Sequence, residues 1–162
     1  MAHAAPRTAR VHVVTVSDTR TPADDESGQA CRAAAGAAGH AVVGYEILPD
    51  EPARVRDRCR ALCAGGEVDA ILLNGWTGVS PRDTTYEAVV GILDRRLDGF
   101  GELFRVLSYQ EIGSKAMASR AIAGLCGKTM IFAMPGSTRA VRLAMEKLIA
   151  PELGHLTGEM HK

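Results

Sequence analysis

Residues 70–93 read AILLNGWTGVSPRDTTYEAVVGIL. Residues 70–73 are a short apolar run of strand length, and Asn74-Gly75-Trp76-Thr77-Gly78 breaks it. Thr84-x-x-Glu87 then forms a capping box ahead of the apolar stripe Ala88, Val89, Ile92, Leu93. The flanking sequence repeats this succession of strand, turn and helix. Residues 11–16 are a β-branched run that predicts a buried strand. Residues 26–39 are Ala-rich and predict a helix ending at Gly36 or Gly39, and 41–48 a second strand closed by Pro49. Residues 52–64 predict an amphipathic helix stopped by Gly65-Gly66. Further on, 99–109 and 114–119 read as helical, and 121–125 and 129–134 as a hairpin about Cys126-Gly127. Ser137 caps a last helix with the stripe Ala140, Val141, Ala144, Met145, Leu148, Ile149. The alternation predicts one α/β domain over residues 9–156, a three-layer α/β/α sandwich with a mainly parallel sheet. Residues 1–8 and 157–162 are expected to be flexible.

Composition bounds the function. The chain has 162 residues, 46% hydrophobic, 23% charged and 4% aromatic, as in ordinary globular domains. Lys plus Arg number 19 and Asp plus Glu 19, so the formal charge is zero. A whole-protein basic field for nucleic acid or an anionic membrane is therefore absent. No apolar run approaches the roughly 20 residues of a membrane helix, and residues 1–10 hold no apolar stretch of signal-peptide length. The expected compartment is the cytoplasm. The four cysteines, Cys31, Cys59, Cys63 and Cys126, do not make a disulfide framework in a chain of this size. Cys59 and Cys63 share one helix face with Val55 and Leu62, where a free cysteine behaves as a small hydrophobe. Arg54, Arg56, Arg58 and Arg60 lie off that face and read as a solvated surface.

In a mainly parallel sheet the C-terminal strand ends share one edge, and ligands bind in the crevice outside them. The polar clusters of this chain fall just after its strands: Ser17-Asp18, Pro49-Asp50-Glu51, residues 74–83, and Pro135-Gly136-Ser137. Gly75-Trp76-Thr77-Gly78 has neither the dinucleotide nor the Walker A spacing. An ordinary tight turn explains it as well as an anion cradle does. Its place before a capped helix, repeated at Gly136-Ser137-Thr138, suits a ligand with more than one phosphate. Asp50 and Asp83 are the carboxylates of this edge and suit Mg²⁺, a hard cation that takes oxygen ligands. The plainer alternatives are a turn residue for Asp50 and a helix-start carboxylate for Asp83. Arg82 can pair with Asp83 or reach a phosphate. No histidine falls in these clusters, so covalent catalysis has no support.

These residues also carry a resemblance. Leu48-Pro49-Asp50-Glu51, Asn74 to Gly78 with Pro81-Arg82-Asp83-Thr84-Thr85, Gly99 to Arg105, Ser119-Arg120-Ala121 and Met134-Pro135-Gly136-Ser137 resemble MogA/MoaB-type molybdenum cofactor biosynthesis proteins. The match runs from about Val11 to His155 and lies nearer the MoaB branch; the G domain of gephyrin is similar. The resemblance implies a molybdopterin-binding fold, a homotrimer or homohexamer, and other molybdenum cofactor biosynthesis proteins as partners. It implies adenylyl transfer, in which a molybdopterin phosphate attacks the α-phosphate of Mg-ATP and pyrophosphate leaves. Asp50 and Asp83 match the catalytic or Mg²⁺-handling positions, Ser108 a serine placed for the pterin, and residues 75–78 the ligand-cradling loop. With them Ser17, Asp18, Asn74, Trp76, Thr77, Arg82, Pro135, Gly136 and Ser137 are the expected ligand-site residues. Such chemistry needs positioning and charge neutralisation rather than a nucleophile. One departure stands out. The family loop reads Thr-Gly-Gly-Thr-Gly, and here Asn74 replaces the threonine and Trp76 the second glycine. An indole there either blocks the ligand, stacks on the pterin, or packs on a neighbouring subunit.

Overall fold

The structure, a computed structural model, describes residues 5–162. Six strands form one sheet in the order β2-β1-β3-β6-β5-β4. They are β1 (Arg10–Val16), β2 (Ala41–Leu48), β3 (Ala70–Asn74), β4 (Arg95–Arg96), β5 (Ile122–Cys126) and β6 (Thr129–Met134). The pairs β1–β2, β1–β3 and β3–β6 are parallel, whereas β5 runs antiparallel to β6 and to β4. The two-residue β4 is not visible in the sequence, because Arg95 and Arg96 are exposed at the sheet edge and carry no apolar signal.

Side chains of the central strands alternate between two cores. Val11, Val13, Ala70, Leu72, Met130 and Phe132 pack into one cluster, with Phe104 and Leu153 from the covering helices. Val14, Val16, Ile71, Leu73, Ile131 and Ala133 pack into the other, with Val55, Cys59 and Val89. A strand buried on both faces reads as a continuous apolar run, which is why β1, β3 and β6 were legible. The helices are α1 (Glu26–Ala37), α2 (Pro52–Gly65), α3 (Thr85–Val90), α4 (Asp98–Ile112), α5 (Thr138–Ala144) and α6 (Ala150–Met160), with a 3-10 turn over Gly113–Ala118. α1, α4, α5 and α6 cover one face; α2 and α3 cover the other.

Three local expectations are corrected. The capping box does not form: Thr84 sits at the N-cap of α3, but its side chain makes no cap bond, and α3 has only six residues. The last helix is interrupted by a π-helical turn over Met145–Ile149, just before Pro151, whose ring lacks an N–H and would crowd a regular preceding turn. The chain end is helical rather than loose. α6 runs to Met160, Thr157 and Gly158 are buried, and His161 Nε2 lies 3.0 Å from Asp69 Oδ1. Of the N-terminal residues expected to be flexible, 1–4 lie outside the described residues, and 5–8 have no regular structure and are exposed.

Candidate active site at the strand ends

The register aligns the strand ends. Val16 pairs with Leu48, Thr15 with Asn74, and Asn74 with Met134, so the loops after β1, β2, β3 and β6 leave side by side. The β3 and β6 loops nearly touch. Gly75 N donates to Met134 O at 3.0 Å, and a Cβ on Gly136 would stand 3.1 Å from Gly75 Cα. Gly75 has φ +116, and a Cβ there would come within 2.5 Å of Val16 O, so this turn requires glycine.

Asp18 and Asp50 stand side by side at these strand ends. Asp50 N donates to Asp18 Oδ1 at 2.9 Å. Arg82 ion-pairs with Asp18 and lies 3.7 Å from Asp50 Oδ2. The Thr84 hydroxyl, which leaves its own helix uncapped, donates to Asp50 Oδ1 at 3.3 Å. Burial pushes the Asp50 carboxyl above its ordinary range; Asp18 and Asp83 push the same way, while the Thr84 hydroxyl and the Arg82 charge oppose them. Asp83 closes its own loop, its Oδ2 accepting from Ser80 N at 2.8 Å.

A cavity of about 200 Å³ is lined by Thr77, Gly78, Phe104, Ser108, Lys115, Ser119, Pro135 and Arg139 among others, and a Cβ on its Gly78 would stand 2.8 Å from Asp83 Oδ2. Among the described residues, the buried hydroxyl oxygens of Thr77 and Ser119 have no hydrogen-bond partner. Buried polar atoms are nearly always paired, so two unpaired hydroxyls in one cavity mark a place for a polar ligand. A larger groove of about 450 Å³, lined by Val106, Tyr109 and Met117, lies on the outer side of α4 and is almost wholly apolar. The smaller cavity is the better ligand site, because it holds the polar groups and its Gly78 packs against the Asp83 carboxylate.

The other expected site residues divide by geometry. Ser108 is buried in α4 and lines the cavity with Thr77, Gly78 and Pro135. The Ser17 hydroxyl accepts from Thr19 N and Arg20 N and shapes the β1 loop. Ser137 caps α5 by accepting from Ala140 N at 3.2 Å. Asn74 has no exposed surface: its amide donates to Thr15 Oγ1 and Val14 O, and its oxygen accepts from Ser27 Oγ. It therefore braces β1, β3 and α1 from beneath the loop rather than facing a ligand. Trp76 takes φ +55, a left-handed conformation that favours glycine. Its ring packs against the core under α2 and α3, with Arg82 stacked 5.4 Å from the ring centroid. It does not line the cavity.

Sequence reasoning missed two arginines. Arg120 N donates to Thr77 O, its Nε to Gly78 O at 2.8 Å and its Nη2 to Asp83 O at 2.7 Å, while its guanidinium pairs with Glu87. One side chain thus holds both ends of the 77–83 loop. Arg20 Nη2 reaches from the β1 loop to Gly136 O at 3.0 Å. Arg120 has no sequence signal beyond its place in a motif and Arg20 has none, since the contacts span 33–116 residues.

Comparison with known proteins gives this edge a family. The sequence profile of the family described as "Probable molybdopterin binding domain" matches residues 12–155, which includes every strand-end loop. The chain belongs to this molybdopterin-binding family. It is 50% identical to Molybdenum cofactor biosynthesis protein B of Bacillus cereus over 159 residues, covering 98% of this chain and 94% of that protein. A solved structure of a Molybdenum cofactor biosynthesis protein B superposes with a TM-score of 0.92 at 50% identity, covering 97% of this chain and 98% of that one. The tungsten cofactor synthesizing protein MoaB of Pyrococcus furiosus superposes with a TM-score of 0.85 at 32% identity, covering 98% and 100%. The three-layer fold of this molybdopterin-binding chain is thus that of its MoaB and MogA neighbours.

Proposed function

We propose that this chain acts in molybdenum cofactor biosynthesis as a molybdopterin adenylyltransferase that uses Mg-ATP. The observation that carries the reading is the cavity with the unpaired Thr77 and Ser119 hydroxyls, at the start of a loop whose far end, Arg82, pairs with Asp18 and Asp50. The pterin would take its hydrogen bonds from Thr77, Ser119 and Ser108. Its terminal phosphate would attack the α-phosphate of ATP, forming one P–O bond as the bond to the departing pyrophosphate breaks. The chain supplies position and electrostatics for this step, not a nucleophile.

The carboxylates fit a divalent cation in kind. Mg²⁺ is commonly held by one or two carboxylates, substrate phosphates and water; Asp50 and Asp83 offer oxygen ligands, and since no three acidic side chains converge among the described residues, phosphates and water would supply the rest. When bound, Mg²⁺ would neutralise the polyphosphate. Asp50 and Asp83 would orient it, Arg82 would be freed from the carboxylates to meet a phosphate, and Arg120 would keep the 77–83 loop in register. Other molybdenum cofactor biosynthesis proteins are the expected partners.

A catalytically silent molybdopterin-binding or assembly protein of the same fold is the second reading. It is favoured by Arg82, whose ion pairs occupy Asp18 and Asp50. Incubation with molybdopterin, Mg²⁺ and ATP distinguishes the two. Adenylylated molybdopterin with one pyrophosphate per product is the expected result; tight molybdopterin binding with no product would establish the silent protein.

A further inference from the structure

We propose that Arg20 is a phosphate-binding residue, a guanidinium fixed where the β1, β3 and β6 loops meet so that it takes one phosphate of the ligand. The proposal rests on reading this edge as the site of a phosphate-bearing ligand. Arg20 is held from three sides. Its Nη1 donates to Ser27 Oγ at 2.5 Å and to Asp25 Oδ1 at 3.4 Å, and its Nη2 to Gly136 O at 3.0 Å. Its backbone N is fixed by Ser17 Oγ.

The anchor beneath it is fully buried. Asp25 accepts from Thr15 Oγ1 at 2.7 Å, Tyr45 Oη at 2.5 Å and Gly28 N at 3.1 Å. Burial alone would raise this carboxyl, but the hydrogen bonds from Thr15, Tyr45 and Gly28, with the Arg20 charge, hold it below its ordinary range. The carboxylate is therefore ionised and already satisfied, and it opposes the Arg20 charge through one long contact only. Arg82, by contrast, faces two carboxylates.

A guanidinium has five N–H donors. Among the described residues, the Arg20 Nε–H and one Nη2–H have no partner, and the side chain is 34% exposed. Beside it lies bare backbone: a Cβ on Gly136 would stand 3.9 Å from Arg20 Nη2. An arginine used only as a clamp spends its donors inward, and one used only for solubility is not tied at three points. A cation whose rotamer is fixed in advance, with donors unused and a third of its side chain exposed, is suited to bidentate capture of a phosphate.

Inorganic pyrophosphate is the probe. Calorimetric titration of the full chain should show binding, weakened about tenfold or more in Arg20→Gln while near-UV circular dichroism stays unchanged; Arg20→Lys should recover part of the loss. Phenylglyoxal footprinting of the unmutated chain, mapped by mass spectrometry, reads contact directly and decides the matter if Arg20→Gln does not fold. Arg20 should be modified in the free protein and protected at saturating pyrophosphate. Binding equal to wild type in a folded Arg20→Gln, or no protection of Arg20 at saturation, overturns the Arg20 assignment and leaves the site reading intact. Failure of the wild-type chain to bind either pyrophosphate or ATP overturns both.

Discussion

Trp76 is the residue at which family pattern and structure part. A glycine loop exists to give positive φ without cost, and Trp76 accepts φ +55 at roughly 1 kcal/mol of strain. The half-buried indole returns more. Covering most of its surface against the core is worth roughly 2 kcal/mol, and the Arg82 stack adds to that. Trp76→Gly should therefore lower stability by about 1 kcal/mol and should not raise transferase activity, because the ring already lies outside the cavity. A rise in turnover with unchanged denaturant midpoint would show that the ring obstructs the ligand. Asp50 reverses this balance. Its raised carboxyl pKa means that ionisation at neutral pH costs folding free energy, so Asp50→Asn should hold or slightly raise the thermal midpoint. Adenylyl transfer should nevertheless fall by a factor of 100 or more, the order of one preorganised electrostatic contact. A stable Asp50→Asn protein with full activity would remove Asp50 from the chemistry.

Among the elements, those whose stability comes from burial were readable in advance, and those shaped by distant partners were not. β1, β3 and β6 announce themselves as apolar runs, and α2 ends at Gly66, whose φ of +73 is a left-handed C-cap. The Thr84 capping box failed because Thr84 turns to Asp50, 34 residues away, a partner no local pattern reveals. For the same reason Asp50, Gly75, Asp83 and Gly136 could be assigned to one edge from strand order, while Arg20 and Arg120 could not be seen to tie that edge together. The α6 end was missed because residues 157–162 look polar, and their anchor lies on the far side of the chain. There Asp69 is buried and accepts from the Arg10 side chain and backbone and from His161. Burial alone would raise the Asp69 carboxyl, but those bonds and the Arg10 charge outweigh it and hold it at about 2. A depressed folded-state pKa gives stability that is complete above the unfolded value near 4 and is lost as pH falls to about 2. Asp69→Asn should thus cost roughly 2 kcal/mol at neutral pH, and its denaturant midpoint should converge on that of wild type between pH 4 and 2. A gap unchanged over that interval would mean the interaction is not ionic.

At the scale of the whole molecule, the outer side of α4 and the following 3-10 turn exposes Leu103, Val106, Tyr109 and Met117, the last at 84%. The family resemblance makes a second copy of the chain the expected cover of this apolar face. Light scattering at micromolar concentration should give a trimer or hexamer, and Tyr109→Asp with Met117→Asp should shift it towards monomer; a wild-type monomer would leave that face unexplained. The side of α4 facing inward is the one that carries Ser108 to the cavity, so the exposed apolar face and the cavity share a helix. The most direct test of the whole account is a crystal structure of the chain with molybdopterin. The pterin is predicted to fill the cavity between residues 77–78 and α4, within hydrogen-bond distance of Thr77 Oγ1 and Ser119 Oγ, with its phosphate directed towards Asp50. Molybdopterin bound elsewhere, with that cavity empty and both hydroxyls unpaired, would contradict it.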